Sequence, residues 1–318
     1  MRTHVIQELA GLDVLHAASV ATIGVFDGLH LGHRSILERL AARREAQGLP
    51  AVCVTFSVHP KAVLLGEAPR QILSLEHRLE LLAAQGLDDT VVIEFSPEFA
   101  KVEPEAFVEQ LLVRRLGVRE LVIGHDTAIG RHRRGDAAFL AEAGRRYGFH
   151  VVAVGGVTVD GRVVSSTSVR SAIAAGELAR AERMLGRPVS LLGTVVHGDG
   201  RGAKLGFPTA NLEVRSEAFP PLGVYAVTVR CELGDLPAVM NYGLRPTFKQ
   251  DESHGVFEIH VLDRDDLDLY GRRMEVFLHD FLRPERRFAG VEELKAQIAE
   301  DCRTARAARR HLPPLARG

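Results

Sequence analysis

One aspartate, three glycines and two histidines fall within "GVFDGLHLGH", residues 24 to 33, directly after an apolar run. Val20 to Phe26 reads as a strand and Arg34 onward as a helix, which places "DGLHLGH" at the carboxyl end of a strand. Gly28 and Gly32 let backbone N–H groups come close to a ligand, and a helix N-terminus adds unsatisfied donors and partial positive charge. His30 and His33 are three apart, so in a first helical turn they project to one side and can donate to phosphate oxygens. A solvated helix start reads equally well from these residues alone, and a zinc site lacks a third ligand nearby.

Ser165, Ser166 and Thr167 precede a second apolar periodic run, with Arg170 expected in its first turn. The cluster reads as an N-cap, or as a further anion site in which the anion lies between the helix end and Arg170. Two such helix starts could hold a triphosphate between them. Later, "GDGRGAKLGFPTANL" is glycine-rich at 198, 200, 202 and 206 yet lacks the GK[ST] ending of a phosphate-binding P-loop. It reads as a flexible hairpin, or as a backbone cradle with Thr209 and Asn211 offering hard oxygens suited to Mg²⁺. Glu258 stands alone on an apolar strand and reads as outward-facing.

The elements that must position these residues follow two grammars. In the first half, "SVATIGVF", "AVCVTF", "TVVIEF", "ELVIG" and "HVVAV" alternate with helical runs such as Ile36, Leu37, Leu40 and Ala41. Gly48, Gly86, Gly117 and Gly148 stand where left-handed caps would end those helices. Apolar strands alternating with helices predict an α/β unit with a parallel sheet covered on both faces, binding ligands beyond the strands' carboxyl ends. After Pro188 the strands follow one another without helices. Val256, Glu258 and His260 alternate with Phe257, Ile259 and Val261, which predicts a small antiparallel β-barrel. A terminal helix carries the stripe Leu294, Ile298, Cys302 and Ala305. The expected domains are residues 1–187 and 188–318.

With 318 residues, 46% of them hydrophobic and 25% charged, the chain has globular composition and length enough for two cores. A formal net charge of -1 speaks against a nucleic-acid or anionic-membrane partner. Three scattered cysteines, Cys53, Cys231 and Cys302, form neither a disulfide framework nor a zinc pattern. Charges and histidines interrupt every apolar run near the N-terminus, leaving neither a signal-peptide core nor a membrane span. The expectation is a cytoplasmic protein; a homo-oligomer stays open.

"GVFDGLHLGH", "TFSVHP" and "VSSTSVR", with "GTVVHGDGRGAKLGFPTANL", "PPLGVYAV", "NYGLRPTF", "FEIHVLD", "DLYG" and "LRPERRF", resemble the prokaryotic bifunctional riboflavin kinase and FMN adenylyltransferase family over nearly the whole chain. The resemblance implies a Rossmann-like nucleotidylyltransferase domain that adenylylates FMN to FAD and a riboflavin kinase barrel that phosphorylates riboflavin. ATP, riboflavin, FMN and FAD are then substrates and products, with Mg²⁺ as cofactor. It implies ATP or phosphate contacts at Gly24, Phe26, Asp27, Gly28, His30, Gly32, His33, Asp126, Ser165, Ser166, Thr167 and Arg170. Of these, His30, His33, Ser166, Thr167 and Arg170 stabilise the leaving pyrophosphate, with His30, His33 and Arg170 counted as catalytic. In the kinase half it implies nucleotide contacts at Gly198, Gly200, Gly202, Lys204, Gly206, Pro208, Thr209 and Asn211, the last two also holding metal, with Glu258 as base toward the riboflavin hydroxyl. Flavin contacts are implied at His59, Pro60, Asn241 and Arg245. The family pattern GxDFxFG is "GHDTAIG" here, with Thr127 and Ile129 in place of aromatics, so Phe56 is a candidate for the missing aromatic contact. "RHRRG" just beyond reads as a solvated loop or a phosphate grip.

Overall fold

The computed structural model describes residues 1–198, 200–244, 255–264, 267–308 and 312. Among the described residues the chain divides into two compact units, one of residues 1–71 and 75–166, the other of 72–74 and 167–312.

The first unit runs β1 (Arg2–Ile6), β2 (Ser19–Ile23), α1 (Leu31–Gln47), β3 (Ala51–Phe56), α2 (Pro60–Leu65), α3 (Leu75–Ala83) and β4 (Asp89–Ile93). There follow α4 (Pro104–Ala106), continued by a π-helical stretch Phe107–Val113, then β5 (Val118–Gly124), α5 (Ala137–Tyr147), β6 (His150–Val154) and the small hairpin β7 (Thr158–Val159) and β8 (Arg162–Val163). Six strands form one sheet in the order β1-β4-β3-β2-β5-β6, every pairing parallel. Strands β2 and β4 are buried along their whole length, which is why they are mainly apolar and why their polar residues Ser19, Thr22, Asp89 and Thr90 are buried with them. Leu37 and Leu40 are the buried residues of α1, and Gly48 and Gly148 cap α1 and α5 at φ 64° and 79°. Chain connections from β2 pass to β3 on one side and, later, to β5 on the other, so the topological switch point lies between β2 and β5.

Two boundaries differ from expectation. β2 ends at Ile23 because Phe26 has turned to φ 54°, outside the extended region, and α1 begins at Leu31, ahead of Arg34. An additional strand, β1, precedes β2 at the sheet edge, where one face stays wet and "RTHVI" needs no continuous apolar run.

The second unit runs α6 (Ser166–Ala174, whose first residue is counted with the first unit), α7 (Leu178–Leu185), β9 (Val189–Val196), α8 (Arg201–Lys204), β10 (Ala210–Val214), β11 (Gly223–Cys231), β12 (Gly234–Leu244), β13 (Gly255–Val261), β14 (Arg273–Arg283) and α9 (Val291–Ala307). Its six long strands close an antiparallel barrel in the order β10-β13-β12-β11-β14-β9. Phe257, Ile259 and Val261 are buried while Val256, Glu258 and His260 on the other face are half-exposed, as the alternation predicts. Helix α9 lays Cys302 and Ala305 against Val224, Ala226 and Val239 on the outside of the barrel, and Arg283 at the end of β14 grips Asp301 of α9 through both carboxylate oxygens. Helix α7 packs on β9 and β14.

Candidate active sites

At the carboxyl end of β2 the turn to α1 is strained twice over: Phe26 and Leu29, both non-glycine, sit at φ 54° and 39°. Such conformations persist only where surroundings impose them, and they gather at ligand sites. His30 caps α1, its Nδ1 accepting from the His33 N–H at 3.4 Å. The two imidazoles stack, with centroids 3.7 Å apart, and the Phe26 ring meets His33 edge-on at 5.3 Å. Part of His33 reaches the surface while its Nδ1 is enclosed and has no hydrogen-bond partner among the described residues. Burial, then His30 and Arg78, hold the His33 imidazole well below the ordinary histidine range. It is therefore neutral at pH 7 in the free protein, with one ring N–H to donate. A Cβ on Gly32 would stand 3.2 Å from the His30 ring, and one on Gly24 3.2 Å from the Phe26 ring; Gly28 has φ 85°.

Asp27 is 3% exposed, and its carbonyl accepts from Ser166 Oγ at 2.9 Å, a bond within the first unit. Helix α6 starts at Ser166, so Ser166 and Thr167 lie inside its first turn and Arg170 just past it, a correction to the expected order of cluster then helix. Ser165 and Thr167 are exposed; Thr167 and Arg170 are counted with the second unit.

Across the switch point, Gly124 ends β5, and a Cβ there would meet Ile36 Cδ1 of α1 at 3.2 Å and Asp126 Oδ1 at 3.4 Å. The loops after β2 and β5 thus stand side by side, with Asp126 exposed. Ile129 is 6% exposed, bridged to Gly135 and packed in the core of the unit, so the residue that departs from the family's aromatic serves as a core strut. In "RHRRG", Arg131 and Arg134 reach Glu103 at 3.3 and 3.0 Å and Arg133 donates to the Asp126 carbonyl. Phe56 sits edge-on to Phe95 at 5.7 Å, and His59 caps α2 with Pro60 as its first residue. Sequence reasoning missed Arg78 of α3, 1% exposed, which donates to the carbonyls of Val25 and Phe56. A lone arginine in "LEHRLELLA" reads as a solvated helix residue, and only the packing of α3 reveals otherwise.

In the second unit, strand register does the assembling. Asn211 of β10 lies opposite Glu258 of β13, and Glu258 lies opposite Asn241 of β12. Directly opposed residues share a face, so these three form a polar row. The row borders a cleft of about 450 Å³ whose lining includes Thr209, Glu258, Asn241, Phe207, Leu294 and Ile298. His260 is tied into the same wall, its Nδ1–H donating to the Pro208 carbonyl at 2.8 Å. Gly198 is the position where Asn211 needs space: a Cβ there would lie 1.9 Å from Asn211 Nδ2. Gly202 is similar, its Cβ position 2.3 Å from the Phe207 carbonyl and 3.1 Å from Thr209 Oγ1, while Gly200 and Gly206 adopt φ 64° and 88°. Lys204 closes the short helix α8 of this glycine-rich loop, and Arg245 lies outside the described residues. Leu294 and Ile298, expected only as the stripe of a closing helix, line the cleft as well. The cleft joins an apolar wall to the Glu258 carboxylate and neutral oxygens, with the charged residues Arg283, Glu285, Arg286 and Asp301 also on its lining, a mixture that suits an aromatic substrate carrying a hydroxyl.

Comparison with known proteins agrees with this division. Residues 13–168 match the family described as FAD synthetase, and residues 185–309 match riboflavin kinase. Bifunctional riboflavin kinase/FMN adenylyltransferases from Escherichia coli K12 and Pseudomonas fluorescens are each 41% identical, the first covering 90% of this chain and 91% of that protein, the second 92% and 93%. A solved Streptococcus pneumoniae structure, described as a macrolide-efflux protein, superposes with a TM-score of 0.83 at 29% identity, covering 96% of this chain and 99% of that one. No helix among the described residues is long and apolar enough to cross a membrane.

Proposed function

The chain belongs to the bifunctional riboflavin kinase/FMN adenylyltransferase family, and from that premise we propose how its residues divide the two reactions. It phosphorylates riboflavin to FMN with ATP and adenylylates FMN to FAD with release of pyrophosphate. We assign adenylyl transfer to residues 1–187 and the kinase to 188–318, supported by family matches that end at 168 and begin at 185.

In adenylyl transfer the FMN phosphate attacks the α-phosphorus of ATP, so the protein contributes positioning and charge stabilisation, with no nucleophile of its own. His30 and His33 take the β- and γ-phosphates at the N-terminus of α1, supported by the enclosed stacked pair and the strained turn that presents it. Ser165, Ser166, Thr167, Arg170 and Asp126 are assigned to the same nucleotide on residue type and family pattern, and Phe56, His59 and Pro60 to the flavin.

In the kinase, Glu258 accepts the riboflavin 5′-hydroxyl proton as that oxygen attacks the γ-phosphorus, and ADP leaves. The observation that carries this reading is the Asn211–Glu258–Asn241 row beside an apolar-walled cleft. Asn241, with Arg245, is assigned to flavin. Mg²⁺ fits the donor set: Thr209 and Asn211 offer neutral hard oxygens, and Gly198 leaves the space that Asn211 occupies. When bound, the ion neutralises developing phosphate charge. The three cysteines are free, which supports placement in the reducing cytoplasm.

The test is product analysis: purified protein with riboflavin, ATP and Mg²⁺, separated by chromatography over time. FMN followed by FAD is expected. FMN alone would overturn the assignment of the first domain, and neither product would overturn both.

A further inference from the structure

Among the described residues Arg78 is the largest fully buried side chain, and it is charged. Among the described residues no carboxylate hydrogen-bonds it. Its two terminal nitrogens donate instead to carbonyls, Val25 at 2.8 Å and Phe56, while Nε is enclosed without a partner. Asp27 offsets part of the cost of taking this guanidinium out of water by its charge, but the hydrogen bonds go to backbone acceptors only, so a purely structural role is better served by an apolar residue of similar volume. Its two acceptors have something in common. Val25 follows β2 and Phe56 ends β3, neighbouring strands whose carboxyl ends form the floor of the nucleotide site. Val25 also stands immediately before Phe26, where the chain turns to positive φ, and Thr55 Oγ1 donates to the same Val25 carbonyl at 3.2 Å.

We propose that Arg78 is a positioning residue for adenylyl transfer: its guanidinium fork joins the ends of β2 and β3 and holds the strained turn that aims His30 and His33 at the phosphates. Arg78 touches no substrate atom in this role. The fork spans two acceptors at once, which a lysine ammonium cannot do with the same rigidity. Its charge also bears on the site directly. The titratable groups acting on His33 are His30 and Arg78, and those acting on Arg78 are Asp27 and Cys53. With Arg78 in place, protonated His33 is disfavoured; without that charge, the imidazole takes up a proton at higher pH.

This inference rests on the adenylyl-transfer reading of the first site, and the experiment separates the two. Full-length Arg78→Lys, Arg78→Met and the His30→Ala/His33→Ala double variant are assayed for FMN adenylylation against pH, with riboflavin phosphorylation in the same preparation as internal control. Both Arg78 variants are expected to lower the adenylylation kcat at least about ten-fold, with KM for ATP changed less than about two-fold and riboflavin phosphorylation unchanged. Arg78→Met, which removes the charge, additionally moves the acid limb of the pH profile upward; Arg78→Lys leaves it in place. Wild-type kcat in Arg78→Lys would overturn the proposal, as would an unmoved acid limb in a folded Arg78→Met. Should Arg78→Met not fold, the split between kcat and KM in Arg78→Lys decides. Wild-type FAD formation by the double histidine variant would instead overturn the reading of the site itself.

Discussion

Glycine at two positions of the kinase loop is required by neighbours more than by flexibility. Gly198 has no room for a side chain because the Asn211 amide occupies the space a Cβ would take, and the Asn211 position is what sets an oxygen beside Glu258. Gly198→Ala should therefore push Asn211 aside and lower riboflavin phosphorylation by about 10²-fold, the cost typical of displacing a positioned group by an ångström. Adenylylation of supplied FMN should stay at the wild-type rate. A wild-type kinase rate in Gly198→Ala would mean that Asn211 does not hold the nucleotide. Histidine shows the same logic at the first site: neither His30 nor His33 acts alone, because the Nδ1 of one caps the helix on which the other rides.

Among the elements, β1 depends most on a single residue. Asp89 begins β4 with its side chain wholly buried, and Arg2 and His4 of β1 and His16 of the following loop converge on its two oxygens at 2.8 Å. Burial pushes the Asp89 carboxyl up, but hydrogen bonds from Arg2, His4 and His16 outweigh it and hold it down at about 2. A depressed carboxylate contributes stability above its unfolded pKa, near 3.8, and loses that contribution as pH falls toward 2. At neutral pH the contribution is about 2 kcal/mol. Asp89→Asn should be less stable than wild type by roughly that amount in urea at pH 7 and closely matched at pH 2. Equal stability at pH 7 would show that the carboxylate does not hold this edge strand. The elements around Ile129 teach a related point, since Gly130 and Gly135 press against Pro104 and leave no slack for a larger ring without repacking.

For the whole molecule, two units have their own cores, and in the proposed division residues 1–187 carry one reaction and 188–318 the other, with ATP used in both and FMN the product of one and the substrate of the other. If each site is built wholly from its own elements, the activities must separate by mutation. His30→Ala with His33→Ala should abolish FAD formation and leave FMN formation intact. Glu258→Gln should lower FMN formation by about 10²- to 10⁴-fold, the range for losing a general base, and leave adenylylation of supplied FMN unchanged. Both are read by chromatography with riboflavin or FMN as the starting flavin. Joint loss in either variant would show that the sites are not independent.

By itself the sequence determined the two grammars of strand and helix, the glycine ends of helices, the histidine pair at a helix start and the outward-facing Glu258. Each of these is written in local spacing: period 2, period 3.6, or a residue type that tolerates positive φ. The family pattern added roles. Tertiary structure alone decided what no spacing encodes. Strand order set the loops after β2 and β5 side by side although some 95 residues separate them, and barrel register set Asn211, Glu258 and Asn241 in one row from three distant strands. It also turned Arg78, an ordinary charged residue of an amphipathic helix by pattern, into the buried fork under the phosphate turn, because which face of α3 meets the strand ends depends on packing across the unit and not on the helix's own residues.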